Sequence, residues 1–164
     1  MRRMGIWIRA ARQMPPKVVV ARAARRLGIR SRWLRRVEML NATDAARPKR
    51  AVDIIEHALG RAGVQRHRLW SAMPSQRVIE IGCGQHGGLG PACVAAGASR
   101  YLGIDPGIDA ALLDDAAVRD QWVRPALVAC AEHVRPGLDE GPGELAARFQ
   151  AASTYSTSGL EELG

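Results

Sequence analysis

Cysteine is scarce in this chain of 164 residues, and its pattern excludes two classes of site. The three cysteines, Cys83, Cys93 and Cys130, are odd in number and have no C-x-x-C spacing. That argues against a disulfide framework and against a zinc site, so we expect no metal centre. Cys93 and Cys130 lie in Ala- and Val-rich stretches and are predicted to be buried helix residues. Cys83 lies in a glycine-rich stretch, where a small loop residue is expected rather than a nucleophile.

Long hydrophobic runs are also missing. No apolar stretch approaches the ~20 residues that a membrane-spanning helix needs. Arg9, Arg12 and Lys17 interrupt the only early segment that could resemble a signal peptide, which argues against a cleaved one. We therefore expect a cytoplasmic protein. A peripheral position at the inner face of the membrane stays open, because the early part of the chain is strongly basic.

Acidic residues are almost absent from the first part of the chain. Residues 1–50 hold 15 lysines and arginines against two acidic residues, whereas the remainder has a net charge of −5. We predict a basic helical leader over residues 1–46 and a second domain over residues 47–164. The leader's arginines could form a solvated helical face, or they could bind an anionic membrane surface or a nucleic acid. The leader lacks the interleaved aromatic residues that single-strand binders use for stacking.

One stretch, residues 77–105, has the pattern of a strand, a glycine loop, a helix and a second strand. The first β-branched run is Val78–Ile81, an Ala-rich helix is expected over residues 91–96, and the second run, Tyr101–Ile104, ends on Asp105. Five glycines separate the first strand from the helix: Gly82, Gly84, Gly87, Gly88 and Gly90. The sequence therefore predicts a parallel β-α-β unit.

The chemistry of this unit favours a nucleoside ligand. A glycine loop lets a ligand approach the main chain, and the start of the following helix offers N–H groups. In open α/β sheets, ligands bind at the carboxyl ends of the strands, where Asp105 lies. A carboxylate at that position accepts hydrogen bonds from the two hydroxyls of a ribose. The alternative is an ordinary βα turn in which Asp105 caps a helix.

Glu80 bears on which nucleoside is bound. Gly82, Gly84 and Gly87 match the dinucleotide pattern G-x-G-x-x-G, but a dinucleotide fold usually has an apolar residue at the position of Glu80. A carboxylate there suits a ligand with a positive end. The segment Glu80-Ile81-Gly82-Cys83-Gly84, followed by Gly103-Ile104-Asp105-Pro106, resembles the first motifs of the class I (Rossmann-like) S-adenosylmethionine-dependent methyltransferases. The third glycine of that family pattern is His86 here, and Gly87 and Gly88 are expected to serve in a slightly longer loop.

The resemblance implies S-adenosyl-L-methionine as the cofactor and a set of residues that would bind it. Glu80 would orient the amino end of the cofactor, and Asp105 would hold the ribose. The full set is Glu80, Ile81, Gly82, Cys83, Gly84, Gly87, Asp105 and Pro106. The implied reaction is methyl transfer to an acceptor that the sequence does not identify, and no catalytic base is assigned. Two other functions stay open: a fragment of a nicotinamide-dependent oxidoreductase, and a non-catalytic protein whose basic leader binds an anion.

The rest of the chain is predicted to be helical. Helices are expected over residues 17–27, 32–40, 48–60, 114–134 (kinked or split at Pro125) and 144–152, with a polar connector over residues 61–76 and no strand after residue 152. His133 has no partner pattern and is expected to be exposed. The predicted fold class is thus α/β, a partial Rossmann-like unit with parallel strands, preceded by an Arg-rich helical extension.

The family has a seven-stranded sheet, and only two strands are predicted here. We therefore expect the amino-terminal part of a methyltransferase that does not catalyse as it stands. Such a partial sheet has unpaired edges, so self-association through them is expected.

Overall fold

The computed structural model describes residues 16–27, 29, 31–40, 47–84 and 86–157. The chain divides into two compact units after residue 43. The predicted boundary after residue 46 lies outside the described residues, and so does the part of the predicted leader that precedes residue 16.

The first unit contains two helices that pack on each other, α1 (Pro16–Arg26) and α2 (Arg32–Leu40). Both were expected from the sequence. Pro16 is the first residue of α1, where a missing N–H costs nothing and the fixed φ angle suits a helix. Among the described residues of both units, no helix has the combination of length and apolar character needed to cross a membrane.

The second unit is an α/β arrangement. Its elements, in chain order, are α3 (Arg47–Arg61), α4 (Arg66–Ser71), β1 (Arg77–Ile81), α5 (Gly90–Ala95), β2 (Arg100–Ile104), α6 (Ala110–Leu113), α7 (Ala116–Val118), a π-helical segment (Arg119–Val123), α8 (Arg124–Val134), α9 (Pro142–Ala152) and β3 (Ser153–Ser156).

Within the described part of the chain, the sheet has three parallel strands in the order β1-β2-β3. This confirms the predicted α/β class with parallel strands. The prediction of no strand after residue 152 is wrong, because Ser153–Ser156 form β3 beside β2. The strand is short and has polar residues, as edge strands often do, so its sequence carries no apolar alternation.

Helices α5 and α9 cover one face of this sheet. Tyr101 of β2 and Tyr155 of β3 lie on that face, and a Cβ placed on Gly90 of α5 would come 2.8 Å from the Tyr101 ring. The Phe149 ring of α9 lies 6.4 Å from the Tyr155 ring. Behind α5 and α9, helices α3 and α8 pack against them and complete the core. The buried residues of this core include Val52, Val94, Leu127, Cys130 and Leu145.

The helix predicted over residues 114–134, with a kink or split at Pro125, runs from Ala116 to Val134 and contains a π-helical segment just before that proline. Asp115 caps its beginning, since its side chain accepts hydrogen bonds from the N–H groups of Ala117 and Val118. The π-helical segment ends immediately before α8, of which Pro125 is the second residue. Proline lacks an N–H and its ring collides with the carbonyl four residues earlier, so a wider turn at this point relieves the collision.

The connector over residues 61–76 and His133 of α8 both differ from the prediction. The connector contains a helix, α4, whose Trp70 is buried. His133, predicted to be exposed, is half-buried, and its Nε2 lies 3.2 Å from each carboxylate oxygen of Glu56 on α3. The same carboxylate accepts the indole N–H of Trp70, which lies 2.6 Å from Glu56 Oε1.

Candidate functional site

Glu80 lies in β1 and faces the helix-covered side of the sheet. It pairs in register with Gly103 of β2, and side chains alternate along strands. Glu80 therefore shares a face with Tyr101 and Tyr155, and the glycine loop between β1 and α5 passes over this face. The loop approaches closely, since a Cβ on Gly88 would lie 2.5 Å from the Glu80 carboxylate oxygens.

The Glu80 carboxylate ties the loop to the sheet through one oxygen. Its Oε2 accepts the Leu89 N–H at 2.7 Å and the Tyr101 hydroxyl at 2.5 Å. The other oxygen, Oε1, accepts no hydrogen bond from any described residue. Glu80 thus has a structural role that the sequence did not reveal, and it keeps one oxygen that a cationic ligand group can use.

Asp105 follows β2 and reaches across to the same loop. Its Oδ2 accepts the Gly84 N–H at 2.9 Å, and its Oδ1 accepts the Gly107 N–H at 2.6 Å. It is not a helix cap, because the next helix, α6, begins only at Ala110, after Asp109. Each carboxylate oxygen can accept a second hydrogen bond, so both remain able to receive a hydroxyl donor.

Cys83 lies between these two carboxylates. The residue is only 6% exposed. Burial, and after it the charges of Glu80 and Asp105, raises the pKa of the Cys83 thiol to about 12. The thiol is therefore neutral at physiological pH and is not an activated nucleophile. The same two charges make this part of the loop electrostatically favourable for a cation.

The backbone N–H groups of the loop are largely used within the protein. Gly82 donates to Ile104 O, Gly84 to Asp105, Leu89 to Glu80, and Gly90 to Gly87 O, and Pro91 has no N–H. The expectation that the start of α5 offers free N–H groups to a ligand is therefore wrong for its first positions. These donors are therefore not available to a phosphate, which a phosphate-binding loop holds through converging amides.

The other residues predicted to bind the cofactor differ in how accessible they are to a ligand. Gly82 and Gly84 have positive φ angles of 80° and 69°, and nothing lies within 4 Å of a Cβ placed on either. There is open space beside them for a ligand. Gly87 faces inward instead, against the Tyr155 hydroxyl. Ile81 is 79% exposed on the opposite face of the sheet, so only its backbone borders the loop. Pro106 is exposed in the turn after Asp105.

Two residues of this network escaped the sequence reasoning. The Tyr155 hydroxyl donates to Gly87 O at 3.3 Å, and the Tyr101 hydroxyl, whose proton goes to Glu80, lies at the same distance from that oxygen. Burial raises the pKa of both phenols well above the ordinary value, so both stay protonated donors. Parallel pairing places Tyr101 on the face of Glu80, which alternation along β2 could have indicated. Tyr155 offered no such signal because β3 was not predicted.

A second cluster of titratable groups lies away from the loop. Asp53, Glu56 and His133 bring ligand-type atoms within 4.8 Å of one another. Glu56, however, already accepts hydrogen bonds from Trp70 and pairs with the Arg66 guanidinium, whose Nε lies 3.2 Å away. A guanidinium at that distance repels a divalent cation. The cluster is best described as a link between α3, α4 and α8.

No family model, curated protein or solved structure matches this chain.

Proposed function

We propose that the loop between β1 and β2 binds S-adenosyl-L-methionine and that the chain belongs to a methyltransferase. The observation that carries this proposal is the placement of two carboxylates, Glu80 and Asp105, on adjacent parallel strands and on either side of an open glycine loop. The resemblance of residues 77–107 to the first motifs of class I methyltransferases points to the same ligand.

The charge of the site favours this cofactor over a nicotinamide dinucleotide. S-adenosylmethionine carries a sulfonium and an ammonium group, which Glu80 and Asp105 would attract. A dinucleotide would place a pyrophosphate near the same carboxylates. There the N–H groups of Gly90 and Leu89 already donate to Gly87 O and Glu80. The two carboxylates would repel the pyrophosphate, since like charges at close range are unfavourable.

Each residue of the site has a role that its geometry permits. Glu80 Oε1 would accept a hydrogen bond from the ammonium group, directly or through water. The open sides of Gly82 and Gly84 would admit the methionine part, and Asp105 would accept the ribose hydroxyls. When bound, the cofactor supplies an electrophilic methyl group, which passes to a nucleophile of the acceptor. The contribution of this chain would be positioning.

Calorimetric titration of the protein with S-adenosylmethionine, S-adenosylhomocysteine and NAD tests the proposal. We expect binding of the first two and weaker binding or none of NAD. Binding of NAD alone would reject the assignment and favour the oxidoreductase alternative.

Substitution of Asp105 by asparagine tests ribose recognition. We expect at least about a tenfold loss of affinity, because a hydrogen bond to a charged group contributes about 1.5–3 kcal/mol. The matched control is Asp114→Asn, which changes an exposed aspartate outside the loop. Urea unfolding of both variants checks that they are folded. An unchanged dissociation constant in a folded Asp105→Asn protein would contradict the ribose role.

A further inference from the structure

The two-helix unit exposes more apolar surface than its size requires. Of the eight large apolar side chains that are exposed among the described residues, four belong to this short unit. They are Val20 (59% exposed), Leu27 (79%), Ile29 (53%) and Trp33 (62%), and we call them the apolar set. Isolated exposed apolar residues are ordinary, but a concentration of this kind marks an interaction surface.

Two members of the apolar set, Val20 and Leu27, do not lie on the packed side of α1. Val18 and Ala21 are the buried residues of that helix, with exposures of 4% and 0%. Val20 and Leu27 are seven residues apart and therefore share the opposite side, since a helix repeats its faces at that spacing. The Leu27 N–H donates to Ala23 O at 3.1 Å, so the helical turn continues to Leu27. Helix α1 thus has one buried side and one side that carries exposed apolar residues.

This apolar surface lies within a strongly cationic segment. Residues 16–40 contain eight lysines and arginines and one acidic residue, Glu38, which gives a net charge of +7. Lys17, next to the start of α1, and Arg32, next to Trp33, are both exposed.

We propose that the described residues between 16 and 40 form a docking surface for an anionic lipid bilayer, with the apolar set inserted at the headgroup level and the basic residues among the lipid phosphates. Amphipathic helices bind bilayers through this combination, in which apolar area and electrostatic attraction add. Tryptophan is favoured at the interface because its ring is apolar and its N–H is polar. A nucleic acid would use the positive charge but not Val20, Leu27 or Ile29, whose aliphatic side chains cannot stack on bases.

Co-sedimentation of the full chain with lipid vesicles tests this proposal independently of cofactor binding. We expect binding to vesicles of phosphatidylcholine and phosphatidylglycerol and little to pure phosphatidylcholine. Binding should weaken as salt shortens the Debye length from about 10 Å at 0.1 M to about 3 Å at 1 M. The triple variant Val20→Ser, Leu27→Ser, Trp33→Ser should lose at least about tenfold in bilayer affinity, because its insertion area is gone.

The matched control removes three exposed apolar residues from the second unit, as Ile54→Ser, Val64→Ser and Ile79→Ser. This variant should bind vesicles like the unaltered protein. If the triple variant folds poorly, the single variant Leu27→Ser serves as the test instead. Leu27 follows the last residue of α1 and is the most exposed of the set, so its replacement disturbs packing least. That single change should still reduce binding measurably.

Three results would overturn the proposal. They are no sedimentation with anionic vesicles, equal loss in the test and control variants, and a mobility shift of single-stranded oligouridylate without any vesicle binding. The last result would assign the basic unit to nucleic acid.

Discussion

Gly88 is the residue whose missing side chain matters most to the loop. Its φ angle is +54°, and a Cβ there would lie 2.5 Å from both carboxylate oxygens of Glu80. We expect Gly88→Ala to destabilise the protein by about 1–3 kcal/mol, the usual range for strained backbone, and to weaken cofactor binding by displacing Glu80. The control is Gly60→Ala in α3, where the Cβ meets open space. That change should stabilise by about 0.5–1 kcal/mol. Urea unfolding measures both, and equal effects would contradict the close approach.

The three buried thiols predict how the stability of the protein changes with pH. Chiefly through burial, the pKa of each, at Cys83, Cys93 and Cys130, is raised from 9.0 to about 12. The unfolded chain therefore loses these protons at lower pH than the folded protein does. The resulting contribution to stability is complete below about pH 9 and is lost as the pH rises towards 12. Tyr101 and Tyr155 act in the same direction.

The rate of alkylation by iodoacetamide measures the contribution of the thiols separately from that of the tyrosines. At mildly alkaline pH, all three should react slowly in the native protein and rapidly in urea, because the thiolate is the reactive form. Rapid modification of one thiol in the native state would show that its burial is not maintained in solution.

At the scale of elements, the sequence predicted what local patterns encode. The glycine cluster and the β-branched runs located β1, the loop, α5 and β2, and Pro125 indicated the division of the long helix. Strand β3 was missed because its four residues, Ser153–Ser156, form a strand only through pairing with β2, a contact distant in sequence. The same limit hid Tyr155 from the predicted site. Glu80 was identified, but its bond to the Leu89 N–H depends on the path of the loop and not on any spacing.

The contact between α3, α4 and α8 depends on one carboxylate, Glu56. It receives the Trp70 indole N–H, lies beside His133 and pairs with Arg66, a residue whose side chain is 51% exposed. We expect Glu56→Ala to destabilise by about 1.5–3 kcal/mol, the range for a hydrogen bond to a charged group. The buried Trp70 N–H accounts for most of this, since solvent screens the exposed Arg66 pair.

Asp53→Ala provides the comparison for Glu56, because Asp53 lies one turn earlier on α3 and is exposed. Its removal should change stability by no more than about 0.5 kcal/mol, as is usual on surfaces. A loss as large as that of Glu56→Ala would mean that charge near α3 matters and the specific bonds do not. Addition of zinc to the unaltered protein should leave the unfolding midpoint unchanged if the cluster serves as a link alone.

At the scale of the whole molecule, the sheet of the second unit is covered unevenly. Helices α5 and α9 cover the face of Tyr101, but on the other face Ile79 and Ile81 are 51% and 79% exposed. Leu102 of the neighbouring strand, on that same face, is only 5% exposed. Among the described strands β1 pairs with β2 alone, so its outer edge keeps unpaired N–H and C=O groups. Parallel sheets are normally covered on both faces, so exposed isoleucines beside an open edge favour association.

We therefore expect the protein to self-associate weakly, increasingly with concentration, through the β1 edge. Replacing Ile79 and Ile81 with lysine should reduce that association, because a charge on an edge strand opposes pairing with another strand. The matched control is Ile54→Lys, which places the same charge on an exposed helical residue (71% exposed) of the same unit. Sedimentation velocity over a range of concentrations measures both. If Ile54→Lys lowers association as much as the β1 variant does, net charge governs solubility and the sheet edge is not the contact. If only the β1 variant does so, the open side of the sheet is the surface through which copies of this chain meet.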